Sequence, residues 1–388
     1  MNALIVDALP PETRAGLEAL GLQVTEDTSL GSHNLAGAIA DVDILIVGPT
    51  RVTRRTIEAA ERLELIVHAG SGVETIDVAA ASERGVFVSY CAAADAAARA
   101  ELIIGMVLAL DRRLAQPMAA RDGDGAGLRG RCLGIYGWDA TAAYLRGAAS
   151  GLGMRVLACD PALTTARASE LGVHLIDDLD ALFSRCEVVC LHAASGSEEV
   201  IATAPRVAAM PAGATLINVS RRGLIDLCAA AERLAAGTLA LGLDVYGADD
   251  YGDDVPFAAD AFPTLLATPK IAARTDEARD AIASAVVGHI EAFVLGSRVP
   301  DSVNVAPLRD DERTTSLTIR HKPSHTVLAS VFEALRDAEV EVLSVKTGRF
   351  SDDAAAFIQL VVDRPPTATV ETAVQRNPDV IRLDSRAY

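Results

Sequence analysis

The chain has 388 residues, half of them hydrophobic, and a formal net charge of −18. That length fits two or three domains, and the apolar share supplies large cores, which excludes a disordered chain. The excess of acid argues against nucleic acid and anionic membrane as partners and favours a soluble protein.

The longest uncharged apolar run, 102–110, is about half of the ~20 residues that span a bilayer. The opening MNALIVDALPPE has neither a basic segment nor a cleavage site, so no signal peptide is expected. Cys91, Cys132, Cys159, Cys186, Cys190 and Cys228 are scattered, with no C-x-x-C and no histidine at metal spacing. Buried, reduced thiols in a cytoplasmic protein are expected, with no metal site.

In chain order, 3–6, 43–48, 65–69 and 86–89 are apolar throughout and read as strands. Helices are expected over 10–20 and 53–62. Buried strands alternating with helices form a parallel sheet covered on both faces. A long apolar helix over 94–110 leads to a polar, glycine-rich link at 121–130. Strands then read at 133–136, 155–159, 173–176, 187–191, 215–219, 241–245 and 265–268. That is the strand count of a doubly wound nucleotide domain. A helix over 275–295 is expected to return to the first unit. Residues 300–316, with the charge run Arg309–Arg313, read as a linker. The tail reads strand 317–320, helix 326–338, strands 340–345 and 355–362, helix 367–375 and strand 380–383. This β-α-β-β-α-β order is the ferredoxin-like arrangement.

The chain is organised around 133–161, which reads strand, tight turn, helix, strand, and closes on the acidic Asp160. That is the layout of a dinucleotide-binding βαβ unit, whose turn asks for G-x-G-x-x-G. The chain has Gly137-Trp138-Asp139-Ala140-Thr141-Ala142. The second glycine lets backbone approach the pyrophosphate, and the third lets helix and strand pack closely. Ala142 is a mild change. Asp139 puts a Cβ and a negative charge where phosphate would meet a helix N-terminus. As an N-cap it would stabilise the helix by ~1 kcal/mol, which accounts for the residue better than cofactor binding does. Trp138 either lies over the crevice or covers hydrophobic surface. Asp160 is either the acid that hydrogen-bonds the adenine ribose and selects NAD, or an ordinary strand-end aspartate.

Several strings resemble one family. His68-Ala-Gly-Ser-Gly-Val-Glu-Thr-Ile-Asp77 resembles the "RAGVGVDNID" loop of the D-isomer-specific 2-hydroxyacid dehydrogenases. Asn218-Val-Ser-Arg-Arg-Gly-Leu-Ile-Asp226 resembles their "NxxRGGLVDE", and Leu243-Asp244-Val245 their "LDVF". Thr268-Pro269-Lys270 stands where they have "TPH", and Asp301-Ser-Val-Asn304 resembles "DAVN". With the tail, the chain is most similar to the D-3-phosphoglycerate dehydrogenase subgroup. The resemblance implies an α/β chain with two doubly wound parallel-sheet domains (Rossmann or flavodoxin-like) and a ferredoxin-like, ACT-type regulatory domain. The domains expected are 1–98 with 278–305 for substrate, 99–277 for NAD, and 315–388 for regulation. It implies hydride transfer between nicotinamide and a small 2-hydroxy or 2-keto acid, in a homodimer or larger homo-oligomer.

Mapped residue by residue, Arg221 is the carboxylate-binding arginine, a role suited to a bidentate guanidinium. Arg222 follows it where the family has glycine. Lys270 replaces the proton-transfer histidine, and its partner carboxylate falls at Asp249. A carboxylate so near raises a lysine's pKa, so a structural Lys–Asp pair is the favoured reading. Gly137, Asp139, Ala142, Asp160 and Asp244 are the cofactor positions. Gly70, Ser71 and Gly72 form a loop whose N–H groups would hold the substrate carboxylate. The arginine that helps hold the anionic substrate falls at Val47, and the asparagine before the long helix at Asp95. Arg51, Arg54 or Arg55 either compensates or is an ordinary exposed charge. In the tail, the effector positions read His321-Lys-Pro-Ser-His-Thr326 and Glu341, so feedback by serine is not expected.

Three hypotheses follow: an NAD-dependent dehydrogenase, a non-catalytic binding or regulatory protein on the same scaffold, and an enzyme repurposed around a Schiff base at Lys270. Changes at Asp139, Lys270, Val47 and Glu341 touch cofactor, proton transfer, substrate and effector separately. That weighs toward the second and third.

Overall fold

The structure is a computed structural model that describes residues 1–114, 116, 124–192, 199–245, 256–258, 260–305, 315–350 and 355–387. Met1–Asn304 forms one compact unit and Val305–Tyr388 another.

The first unit contains two parallel sheets. The first is built from β1 (Asn2–Ile5), β2 (Gln23–Glu26), β3 (Ile44–Val47), β4 (Leu65–His68) and β5 (Phe87–Tyr90), in the order β2-β1-β3-β4-β5. Ile44, Leu45, Ile46 and Val47 are all buried, as a strand covered on both faces requires. One face packs on the helix Asp276–Val294, whose Ile282, Val286 and Ile290 join Ala3, Ile5, Leu65 and Val67 in one core. The returning helix therefore lies where its apolar spacing placed it. β2 and the short helix Val78–Glu83 are additional to the elements read from the sequence. β2 is a mostly exposed edge with no apolar run to mark it.

The second sheet holds β6 (Cys132–Tyr136), β7 (Arg155–Cys159), β8 (His174–Leu175), β9 (Val188–Leu191), β10 (Ala214–Asn218), β11 (Leu239–Leu243) and β12 (Leu265–Ala267). Its order, β12-β11-β10-β9-β6-β7-β8, is the doubly wound one, with the direction of winding reversing between β6 and β9. The helix Ala96–Asp111 packs Ala100, Ile103, Met106 and Val107 against Leu133, Ile135 and Ile217 of this sheet. Among the described residues, no helix is long and apolar enough to cross a membrane. Five of the six cysteines are buried; Cys228 is exposed.

The second unit is an antiparallel sheet of β13 (Thr315–His321), β14 (Val342–Arg349), β15 (Ala356–Val362) and β16 (Val380–Ala387), in the order β14-β15-β13-β16. The helices His325–Asp337 and Ala368–Gln375 cover one face through Val327, Val331, Leu335, Val370 and Val374. This is the ferredoxin-like arrangement, consistent with an ACT-like domain.

Candidate functional site

Parallel sheets of this kind present ligands at the carboxyl ends of their strands, at the point where the winding reverses. In the register, Tyr136 at the end of β6 pairs with Leu191 at the end of β9. The residues that follow, Gly137 and His192, both line a cavity of about 320 Å³. Ser71 and Glu74 after β4, Tyr90 at the end of β5, and Asp95 and Arg99 at the start of the long helix form its other wall. Asp160 after β7 and Arg221 after β10 complete it.

Gly137 has φ +81, and a Cβ there would lie 1.6 Å from the His192 carbonyl oxygen. Both the conformation and the close approach require glycine. Gly137→Ala is expected to cost more than ~3 kcal/mol or to prevent folding, read as the midpoint of urea unfolding.

Asp139 is the N-cap of the helix Ala140–Gly151, and its Oδ1 accepts the Ala142 N–H at 2.7 Å. Ala142 is buried in the core of the second sheet. Asp139 Oδ1 also lies 3.4 Å from Nδ1 of His192, a buried side chain whose Nε2 is 3.2 Å from Cys190 Sγ. Burial works against a charge on His192, but Cys190 and Asp139 outweigh it and raise its pKa to about 10. Burial likewise opposes ionisation of Asp139, and His192, the Ala142 N–H and Arg99 overcome it and hold its pKa down. The two side chains are thus placed as partners, with the Asp139 carboxylate favouring the protonated form of His192.

Because the His192 pKa is raised, its contribution to stability is complete below the unfolded value of ~6.5 and is lost as pH rises through about 10. The free energy of unfolding is expected to fall as pH rises from 7 to 10, read from unfolding curves across that range. His192→Asn should flatten that slope; an unchanged slope would contradict the pairing.

Asp160 holds the turn itself. Its Oδ2 accepts the Trp138 N–H at 2.5 Å and its Oδ1 the Ala162 N–H at 2.6 Å. Trp138 is among the residues that line the cavity, and it packs against the core that holds Ala142, Leu145 and Ala149.

Arg221 donates from Nη1 to the Arg222 carbonyl and from Nη2 to the Glu199 carbonyl, both at 3.1 Å. Among the described residues, its Nε–H is buried with no hydrogen-bond partner. A buried donor without an acceptor costs free energy. Of the Gly70–Gly72 loop, Ser71 reaches the cavity wall.

The remaining expected residues lie elsewhere. Asp244 is buried; its carboxylate accepts from Thr268 Oγ1 and the Ile271 N–H at 2.7 Å and from the Ala272 N–H at 2.8 Å, which pins the segment after β12. Lys270 is exposed, has φ +51, and is not part of the cavity wall. Asp249 lies outside the described residues, and with it the Lys270–Asp249 pair. Val47 is fully buried in β3, and Arg54 is engaged by Glu83 on the exterior. His192 and Arg99 were not singled out from the sequence. His192 could have been found as the residue one past an apolar strand, opposite Gly137. Arg99 could have been found as the lone cation near the start of an alanine-rich helix.

Residues 3–304 match the family model of the D-isomer specific 2-hydroxyacid dehydrogenase, catalytic domain. The chain belongs to this family. It is 32% identical over 316 residues to a D-3-phosphoglycerate dehydrogenase of Methanocaldococcus jannaschii, covering 79% of this chain and 60% of that protein. The chain thus spans less than two thirds of that relative's length. A D-3-phosphoglycerate dehydrogenase of Mycobacterium leprae is 28% identical over 425 residues, covering 99% of this chain and 78% of the relative. Among solved structures, the NAD⁺-bound 3-phosphoglycerate dehydrogenase of Entamoeba histolytica superposes with a TM-score of 0.68 at 24% identity, over 78% of this chain and 98% of that one. This last likeness is one of fold.

Proposed function

We propose that this member of the dehydrogenase family binds a small 2-hydroxy or 2-keto acid at Arg221 and does not carry out ordinary NAD-dependent hydride transfer. One observation carries the reading. The Asp139 carboxylate accepts the Ala142 N–H at 2.7 Å and so takes a place at the helix N-terminus that a pyrophosphate would use.

Family membership speaks for NAD as the cofactor, and Gly137 keeps its part of the turn. Against it stand three features of the residues. Asp139 brings a negative charge to the phosphate position. Both Asp160 oxygens already hold backbone N–H groups, so a ribose hydroxyl would have to share them. Lys270, at the proton-transfer position, lies off the cavity wall. The turn as folded does not fit a dinucleotide phosphate, and no step through the cofactor is assigned. The acid half of the site fits better: the Arg221 guanidinium and Ser71 line the cavity and supply donors for a carboxylate.

The test combines calorimetry with an absorbance assay. Pyruvate and oxaloacetate are titrated into the protein, and NADH oxidation is followed with each. Acid binding is expected with NADH oxidation below ~0.01 s⁻¹, against ~10 s⁻¹ for a median enzyme. Oxidation near that median overturns the reading. No heat of binding from either acid overturns its ligand half.

A further inference from the structure

Cys132 and Cys186 meet at the end of the second sheet opposite the cavity. Cys132 opens β6, and Cys186 closes the helix Leu179–Arg185 just before β9. The two are 54 positions apart, yet their Sγ atoms lie 3.4 Å from each other. Among the described residues this is the only contact between two cysteine sulfurs. The Cys132 N–H donates to Glu187 Oε2 at 2.7 Å, and the Cys186 N–H to the Leu182 carbonyl at 3.2 Å. Each backbone is therefore fixed where its thiol faces the other. Gly134, two positions along β6 and so on the same face as Cys132, leaves room for the second sulfur. A Cβ there would lie 2.9 Å from Cys186 Sγ. None of these residues lines the cavity.

An isolated buried thiol is inert. A pair in contact supplies both an attacking sulfur and a resolving one. The hydrogen bond with Cys186 lowers the Cys132 pKa against burial and Glu187, helped by Arg155 and Arg185. The same contact, together with burial, raises that of Cys186, so Cys132 ionises first. The sulfurs lie close beneath the surface. Arg185, just before Cys186, is exposed, and so is Arg155, the partner of Cys132 in the β6–β7 register. Local opening of this end of the sheet admits a molecule little larger than water. We infer that Cys132 and Cys186 are a redox modification site, which hydrogen peroxide converts to an intrachain disulfide. The Cys132 thiolate attacks one peroxide oxygen, the O–O bond breaks, and the sulfur becomes a sulfenic acid while the other oxygen leaves as water. Cys186 then attacks that sulfur. The S–S bond forms, the S–O bond breaks, and a second water carries off the Cys186 proton. Two thiols thus give two electrons and two protons to one peroxide. The sulfurs need close by only ~1.3 Å. The bond joins the amino ends of β6 and β9, whose other ends lead to Gly137 and His192. The inference stands apart from the acid-binding reading.

The test uses the full wild-type chain, folded throughout. Iodoacetamide first blocks the exposed Cys228, leaving the five buried thiols. The protein is then treated with hydrogen peroxide, unfolded, alkylated and digested with trypsin. Loss of two of the five thiols is expected, restored by dithiothreitol. Peptides 132–146 and 186–206 should appear joined, lighter by two hydrogens than their sum. Fragmentation must place the bond at Cys186 and not at Cys190, which the second peptide also contains. The unfolding midpoint of the oxidised chain should be no lower than that of the reduced one, because the bond restrains the unfolded state. Five thiols surviving the peroxide, a Cys132 oxidised to sulfinic acid without a cross-link, or a bond to any other cysteine overturns the inference. So does a lower midpoint on oxidation, which would mean that the fold must distort to form the bond. Cys186→Ala, which keeps the site small and apolar, is expected to abolish the cross-link; an intrachain disulfide at Cys132 in that variant also overturns the assignment.

Discussion

Asp139→Gly is expected to tighten binding of NADH by ten- to thirtyfold. Two unit charges about 4 Å apart repel by roughly 4 kcal/mol at an effective dielectric of 20. His192 offsets part of that, since its imidazolium pairs with the same Oδ1. A remainder of about 1.5–2 kcal/mol gives the stated range. Glycine also removes the Cβ and frees the Ala142 N–H, which Asp139 accepts at 2.7 Å. The helix loses little, because glycine is only a few tenths of a kcal/mol poorer than aspartate as an N-cap. The larger cost is at His192, which loses the partner that helps raise its pKa. Stability should drop by ~1–3 kcal/mol, and the decline between pH 7 and pH 10 should become shallower. Nicotinamide fluorescence and a pH series of unfolding curves read the two effects separately. Unchanged NADH affinity in a folded variant would place the obstacle elsewhere in the site.

Arg221→Gln is expected to weaken acid binding by roughly 100-fold, about 2.7 kcal/mol. The loss has two parts. The charge goes, and with it the charge-assisted hydrogen bonds that a carboxylate would make. The Glu199 and Arg222 carbonyls also lose the Nη donors that order the rim of the cavity. Arg221→Lys separates these parts: it keeps the charge but cannot serve both carbonyls and a carboxylate at once, so an intermediate loss is expected. Because Arg221 is only half-buried, neither change should lower the unfolding midpoint by much. Calorimetry with oxaloacetate checks the affinities. Wild-type affinity in Arg221→Gln would remove this residue from the site.

The fold was legible because strands apolar at every position, such as Ile44–Val47, can only be buried on both faces. The cap at Asp139 was legible for a local reason: an acidic residue before an alanine-rich helix serves the first-turn N–H groups whatever else surrounds it. Missed elements were those without an apolar signal, such as the exposed edge strand Gln23–Glu26. Strand ends also drifted, by as many as four residues in the tail, where strands expected to end at 345 and 383 run to Arg349 and Ala387. The strand expected over 241–245 runs Leu239–Leu243, where Leu239 and Ala240 already pair with Ala214 and Thr215.

The site was legible in part. Gly137 and Arg221 could be placed from motifs, since each motif is short and local. The partners of Asp139 could not. His192 is 53 positions away, and only the pairing of Tyr136 with Leu191 brings the two together. From the sequence Asp139 reads as a bare negative charge; in the fold its Oδ1 lies 3.4 Å from Nδ1 of His192. The same applies to Arg99, whose ties to Asp95 and Ser71 depend on how the long helix meets the loop after β4. Asp244 is the converse: a motif position whose carboxylate is engaged by the Thr268–Ala272 segment.

We propose that the Asp139 carboxylate stands where a cofactor phosphate would bind. Titration of NADH into the wild-type chain at neutral pH, followed by nicotinamide fluorescence, tests it most directly. No saturable binding is predicted up to ~1 mM, the upper end of ordinary cofactor and substrate affinities. Saturable binding at micromolar NADH would contradict the account.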